Sequence, residues 1–312
     1  MDSGRRLEFG IGMPQVEPSA RFDTQRLHRF LVRAEELGFD SVWVLEQPVG
    51  AAAVLEPLTL LAHAAAVTSR IRLGTAVILT PLRIPVQLAK ALATLDQLSG
   101  GRLIAGLALG GWRDLFPAFG LSPEHRARRF EEAVRLIDRL WTEDAVTFDG
   151  EFWQMTDVRV EPKPVQRPRP PVWFGGHVPK AIERAVRMAD GWIGAGSADT
   201  EAFATAHQGL QGALRLAGRD TATFQVAKRV YVAVDDDAGR ARTRLREWFG
   251  LFYGNPDLAD DVAVWGSAEA CVEGLADVVR AGATTIVLNP VFDQQEQAEA
   301  LAADVIPALV DL

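Results

Sequence analysis

The sequence predicts an α/β protein of the (β/α)8 TIM barrel class with insertions, and three observations lead there. Short β-rich runs alternate with longer amphipathic stretches along the chain, the pattern of parallel strands joined by helical crossovers. Eight such units can be traced, which favours closure over the runner-up, a doubly wound open sheet. At 312 residues the chain is long for one compact unit, yet barrels reach this size without dividing. The expected organisation is one barrel domain over 1–312, with insertions near 145–161 and 235–265.

The first unit is a strand over Phe9 to Met13 and a helix capped by Asp23, with Leu27, Phe30, Leu31 and Ala34 on one face and Gly38 at its end. Ser41 to Leu45 with Glu56 to Thr68, Ile71 to Val77 with Pro85 to Leu98, and Arg102 to Leu107 with Pro123 to Trp141 complete the first half. Thr147 to Val160 breaks the rhythm: Asp149-Gly150 between extended, aromatic-rich flanks reads as an inserted hairpin. A proline-rich passage, Pro162 to Pro171, follows. Val172 to Phe174 with a helix from Pro179, and Gly191 to Ile193 with a helix from Thr200, continue the pattern. Gln225 to Val234 and Thr284 to Leu288 are the last two strands, with helices over Ser267 to Arg280 and Gln295 to Val310 around the eighth. Asp235 to Trp265 reads as an extra helix or a lid.

Composition excludes several classes of function. A net charge of −8 argues against nucleic acid, which needs clustered Lys and Arg to displace counterions. The longest apolar stretch, around Leu58 to Val67, contains His63 and is too short to span a bilayer. A cytoplasmic protein without membrane contact is expected. Cys271 is the only cysteine and no HExxH pattern occurs, so neither a disulfide nor a metal site is expected.

Barrels carry their reacting groups after the C-terminal ends of the strands, which narrows the search. Glu46-Gln47-Pro48 follows the second strand; Glu46 could exchange a proton there, whereas Gln47 can only hydrogen-bond. The competing reading of Glu46 is a strand-end carboxylate paired with an arginine. Leu73-Gly74-Thr75-Ala76-Val77 offers small side chains past which a flat ring could approach the backbone, although Gly74 serves equally as a packing glycine. Leu109-Gly110-Gly111-Trp112 after the fourth strand exposes backbone beside a stacking indole. Gly175-Gly176-His177 after the fifth strand and Gly196-Ser197 after the sixth could cradle a phosphate at helix starts. Tight turns need glycine for steric reasons alone, which is the competing reading. The other histidines fall on helices away from strand ends, and no Ser-His-Asp set can be assembled.

Four segments together carry a resemblance: Gly38-Phe39-Asp40-Ser41-Val42-Trp43-Val44, Ile71 to Val77, Ala93-Thr94-Leu95-Asp96-Gln97-Leu98-Ser99-Gly100-Gly101-Arg102, and Asp190-Gly191-Trp192. In this conjunction the chain resembles the bacterial luciferase-like flavin and deazaflavin oxidoreductase superfamily, and more the coenzyme F420-dependent branch. The resemblance implies a barrel binding F420, or alternatively FMN, at the strand C-termini, with Ala76, Val77, Leu109 to Gly111, Gly175 to His177, Gly196 and Ser197 around it. It further implies a non-prolyl cis peptide between Ala76 and Val77, and a homodimer. Relatives usually carry histidine where this chain has Gln47, so proton handling must rest on Glu46, another group such as His177, or the substrate.

The expected reaction is hydride transfer between F420 and a small organic substrate, with Glu46, Gln47 and Trp112 at the reacting centre. The alternatives are an FMN-dependent monooxygenase using reduced flavin and O2, and a flavin-binding relative without activity. Substrate and direction are not legible.

Overall fold

The order of elements follows from where apolar periodicity switches between two and 3.6 residues. The structure, a computed structural model, describes residues 6–111 and 113–310. Strand β1 (Glu8–Gly12) leads to helix α1 (Thr24–Glu36), which Asp23 caps by accepting from the Gln25 and Arg26 amides. Next come β2 (Ser41–Val44), α2 (Pro57–Val67), β3 (Arg72–Thr75), the short β4 (Ile78–Leu79), α3 (Pro85–Ser99) and β5 (Leu103–Ala108). A 3-10 turn over Arg113–Phe119 precedes α4 (Arg126–Thr142). The hairpin of β6 (Val146–Asp149) and β7 (Gln154–Val158) stands where Asp149-Gly150 predicts it, its turn held by the buried Glu132 carboxylate, which accepts from the amides of residues 151–153.

The second half runs β8 (Val172–Gly175), α5 (Pro179–Met188), β9 (Gly191–Gly194), α6 (Thr200–Leu216), β10 (Gln225–Val234), α7 (Ala238–Tyr253), α8 (Leu258–Val262), β11 (Ala263–Gly266), α9 (Ala268–Arg280), β12 (Thr285–Asn289), α10 (Gln294–Ala300) and α11 (Ile306–Val310). Among the described residues, eight parallel strands close in the order β1-β2-β3-β5-β8-β9-β10-β12, β12 pairing back to β1. No described helix is long and apolar enough to cross a membrane.

Three expected boundaries shift. The strand expected over Ile71 to Val77 is interrupted after Thr75, because the chain bulges at Ala76–Val77 before β4 resumes pairing with β5. The helix expected from Gln295 to Val310 widens into a π-turn at Leu301–Val305, ahead of Pro307, whose missing N–H interrupts the i→i−4 ladder. Asp235 to Trp265 holds α7, α8 and most of β11, a strand too short to read from sequence, which extends the sheet beside the end of β10.

Most of the apolar core lies between strands and helices. A smaller cluster fills the barrel interior, centred on Trp43 and Trp173, whose rings lie 5.3 Å apart, with Ile104, Ile193, Ala227 and Val287 around them. Glycine admits these indoles: a Cβ on Gly74 would sit 2.3 Å from the Trp43 ring. Gly74 is thus a packing glycine, as one of its two sequence readings has it.

Candidate active site

Parallel closure sends the loops after β2, β3, β5, β8 and β9 to one end of the barrel, which gathers the candidate residues there. After β3 the Ala76–Val77 peptide is cis, as the resemblance implies. The Ala76 carbonyl accepts from Arg229 Nη1 at 3.2 Å, and Val77 packs where a Cβ on Gly175 would lie 3.1 Å from its Cγ1. A Cβ on Gly196 would lie 2.8 Å from Arg229 Nε. A side chain at Gly175 would therefore press on Val77, and one at Gly196 on Arg229.

Gly176 adopts a φ of +128°, open to glycine and rarely to others, and its carbonyl accepts from Trp192 Nε1 at 2.5 Å. Helix α5 begins three residues later with no side chain capping it; Pro179 has no N–H and the Ala181 and Ile182 amides donate to the Val178 carbonyl at 2.8 and 3.2 Å, which leaves the Lys180 amide of its first turn to an anion. Ser197 is exposed beside this loop. His177 is also exposed, and it lines a groove between α5 and α6. After β5, Leu109 packs on the core, Gly110 has φ +78° and its carbonyl accepts from Arg126 Nη1 at 2.9 Å, and Gly111 faces open space. Trp112 lies outside the described residues.

Glu46 is engaged on both oxygens. Its side chain is 4% exposed; Oε2 accepts from the Leu79 amide at 2.5 Å, and Oε1 accepts from Nε of Arg83 at 2.9 Å and from its Nη2. Arg83 also reaches Glu56 at 2.8 Å. This is the ion-paired arrangement that the sequence leaves open for Glu46, and it ties β2 to the segment after the Ala76–Val77 bulge. Gln47 donates to the Phe252 carbonyl at 3.4 Å, and its Oε1 is buried without a partner.

A narrow cleft of about 20 Å³ lies at this end of the barrel, lined by Gln15, Trp43, Ala76, Arg229, Trp248 and Asn289 among others, but by neither Glu46 nor Gln47. Of these, only Ala76 stands out in the sequence as a site residue. Gln15 is pinned in place, donating to the Leu45 and Leu55 carbonyls at 2.8 and 2.6 Å and accepting from the Leu45 amide at 2.8 Å. Trp248 comes from α7, within the stretch read as an extra helix or lid.

Arg229 is the largest omission of the sequence reading. Adjacent Lys228 and Arg229 interrupt an otherwise buried strand and lie only 2% and 8% exposed. A basic pair inside a β-rich run is itself a signal, because strand interiors seldom bury cations. Alternation sends Arg229 inward and Lys228 outward. Arg229 Nη2 donates to the Tyr231 and Tyr253 hydroxyls at 2.5 and 3.1 Å, and the two hydroxyls are 2.8 Å apart. Burial raises the Tyr231 phenol well above its ordinary range, so it stays neutral.

Lys228 Nζ donates to the Ala195 and Ala198 carbonyls, both at 2.5 Å, and so holds the loop carrying Gly196 and Ser197. Burial, then Arg229, push its amine down to about 7, against the pull of Asp199. Between about pH 7 and its ordinary value of 10.5 the unfolded chain binds the extra proton, so folded stability rises with pH across that window. In Lys228→Met this rise should vanish, leaving a flatter plot of Tm against pH. Parallel profiles for the two proteins would contradict the assignment.

Comparison with known proteins accords with this geometry. Residues 6–256 match the luciferase-like monooxygenase family. An F420-dependent glucose-6-phosphate dehydrogenase of Kineococcus radiotolerans is 31% identical over 322 residues, covering 93% of this chain and 94% of that one. An FMNH(2)-dependent dimethylsulfone monooxygenase of Pseudomonas putida is 31% identical over 189 residues, covering 58% of this chain and 51% of that one. A solved F420-dependent secondary alcohol dehydrogenase, in complex with an F420-acetone adduct, shares the fold with a TM-score of 0.86 at 22% identity, over 97% of this chain and 99% of that one. With a family match over most of its length and a relative aligned nearly end to end, this chain belongs to the luciferase-like monooxygenase family and is an oxidoreductase.

Proposed function

We propose that the chain is an F420-dependent oxidoreductase that transfers a hydride between the deazaflavin and a small organic substrate at the barrel mouth. The observation that carries this reading is the extent of likeness: the F420-dependent relative aligns over 93% of the chain, the FMNH(2)-dependent one over 58%. The residues present suit such a cofactor. Glycines keep side chains off Val77 at 175 and off Arg229 at 196, and the start of α5 offers the Lys180 amide to a phosphate group.

When bound, the deazaflavin supplies the carbon that takes up or releases hydride. The amides at Gly176 and His177, with Gly196 and Ser197, would hold its phosphate, and Ala76–Val77 would back the ring. Trp43 and Trp248 keep water from the cleft, and orientation is the main contribution of the protein. Glu46 acts by fixing the segment around Leu79 and Arg83 that follows the bulge.

FMN chemistry with O2 is the second reading, favoured by the Pseudomonas putida relative. Titrating the apoprotein separately with F420 and FMN decides between them. Saturable F420 binding at least about tenfold tighter than FMN is expected, a difference of about 1.4 kcal/mol. Tight FMN binding with no response to F420 would overturn the proposal.

A further inference from the structure

Arg229 reaches from β10 across the barrel to the segment after β3, and among the described residues it meets no group of opposite charge. Its Nη1 donates to the Ala76 carbonyl and its Nη2 to the Tyr231 and Tyr253 hydroxyls, while Nε is buried without a partner. By contrast, the shielded guanidiniums of Arg83, Arg169 and Arg184 meet carboxylates. The titratable groups around Arg229 offer no relief. Lys228, its neighbour on β10, is a second cation turned outward onto the Ala195 and Ala198 carbonyls, where Asp199 acts on it. The Tyr231 phenol stays neutral, Glu46 is paired with Arg83, and no Asp or Glu is among the residues lining the cleft.

A ligand does not supply the missing charge by direct contact, because a cleft of about 20 Å³ has room for about one water and both terminal nitrogens are already bonded. A buried cation without a counter-charge is costly to keep. Its field passes through the Ala76–Val77 peptide to whatever lies against that peptide, since a low-dielectric interior screens it little. We propose that Arg229 is a positioning residue whose charge acts through this wall: it fixes the Ala76 carbonyl and favours the anionic form of the cofactor ring. The proposal rests on the deazaflavin reading of the site and adds to it the ionisation state that the protein selects.

The test follows that ionisation by absorbance. The ring of F420 carries an acidic hydroxyl whose loss of a proton changes the spectrum, so the midpoint pH is read on the bound cofactor. A nearby opposite charge lowers the pKa of an acid by about one to three units. In Arg229→Gln the midpoint should therefore rise by at least about one pH unit, which means that the anion has lost about tenfold in affinity relative to the neutral ring. Arg229→Lys, which keeps a cation, should lie between parent and Arg229→Gln. Tyr253→Phe removes a hydrogen bond of the cluster and no charge, and should titrate like the parent. Thermal melting checks that each variant is folded; where Arg229→Gln is not, Arg229→Lys takes its place, and a rise larger than in Tyr253→Phe is expected. No rise in the Arg229 variant would overturn the proposal. So would an equal rise in Tyr253→Phe, which would assign the effect to hydrogen bonding instead of charge. If the chain binds FMN and not F420, the deazaflavin reading fails by itself, and the same comparison is made on the ring imide N–H of FMN.

Discussion

Gly106→Ala is expected to prevent the barrel from closing properly, with little or no soluble protein recovered. A Cβ at this position in β5 would lie 1.7 Å from the Thr75 carbonyl oxygen and 2.9 Å from its carbon, both backbone atoms. No rotamer change relieves that contact. The same neighbour forms two hydrogen bonds that fix the approach: the Gly106 amide donates to Thr75 Oγ1 at 2.8 Å, and the Thr75 hydroxyl donates to the Gly106 carbonyl at 2.7 Å. Ordinary overpacking costs about 1–3 kcal/mol, and a clash between two strands starts at the upper end of that range. At about 2–4 °C per kcal/mol, Tm should fall by roughly 6 °C or more where protein is recovered at all. Gly111→Ala, facing open space, is the control and should melt like the parent. A Gly106→Ala protein that also melts like the parent would refute the packing argument.

Glu46→Gln should lower kcat on the order of 100-fold while moving the F420 dissociation constant by less than about threefold, because misplacing reacting groups by about 1 Å costs a factor of that size. The carboxylate offers an acceptor on each side, one to the Leu79 amide and one to Arg83. Glutamine keeps the shape but has a single acceptor oxygen, so its amide group must face one of those donors. The segment next to the Ala76–Val77 bulge then loses its clamp. Steady-state kinetics with parallel cofactor titrations would separate the outcomes. Loss of kcat and of F420 affinity in proportion means that Glu46 merely supports the fold; unchanged turnover removes it from the mechanism.

The four segments that reveal the family hold the barrel together more than they build its site. Asp40 accepts from the Phe9 amide at 2.8 Å. Asp96 accepts from the Val165 and Gln166 amides at 2.7 and 3.0 Å, anchoring the proline-rich passage. Arg102 donates to the Ala65, Thr68, Ile71 and Ser99 carbonyls, joining the ends of α2 and α3. Asp190 accepts from the Val172 amide at 2.8 Å and pairs with Arg169. Such anchors are local in sequence and identical in purpose wherever the fold recurs, which makes them legible without coordinates. Trp248 illustrates the opposite case: it reaches the cleft from α7, and its spacing in that helix does not distinguish a cleft wall from a core residue.

By itself, the sequence determined the alternation of strands and helices, the caps and turns that bound them, the inserted hairpin, and the family, because each depends on residues near one another along the chain. It also singled out the glycine-rich loops after β5, β8 and β9, which barrel closure brings to one end. Only the tertiary structure decided which polar groups face the cleft. Closing the barrel drew Arg83 onto Glu46 across 37 positions and brought the Ala76 carbonyl to Arg229 across 153. Pairings over such distances depend on which face of each strand turns inward, and that is set only when all eight strands pack together.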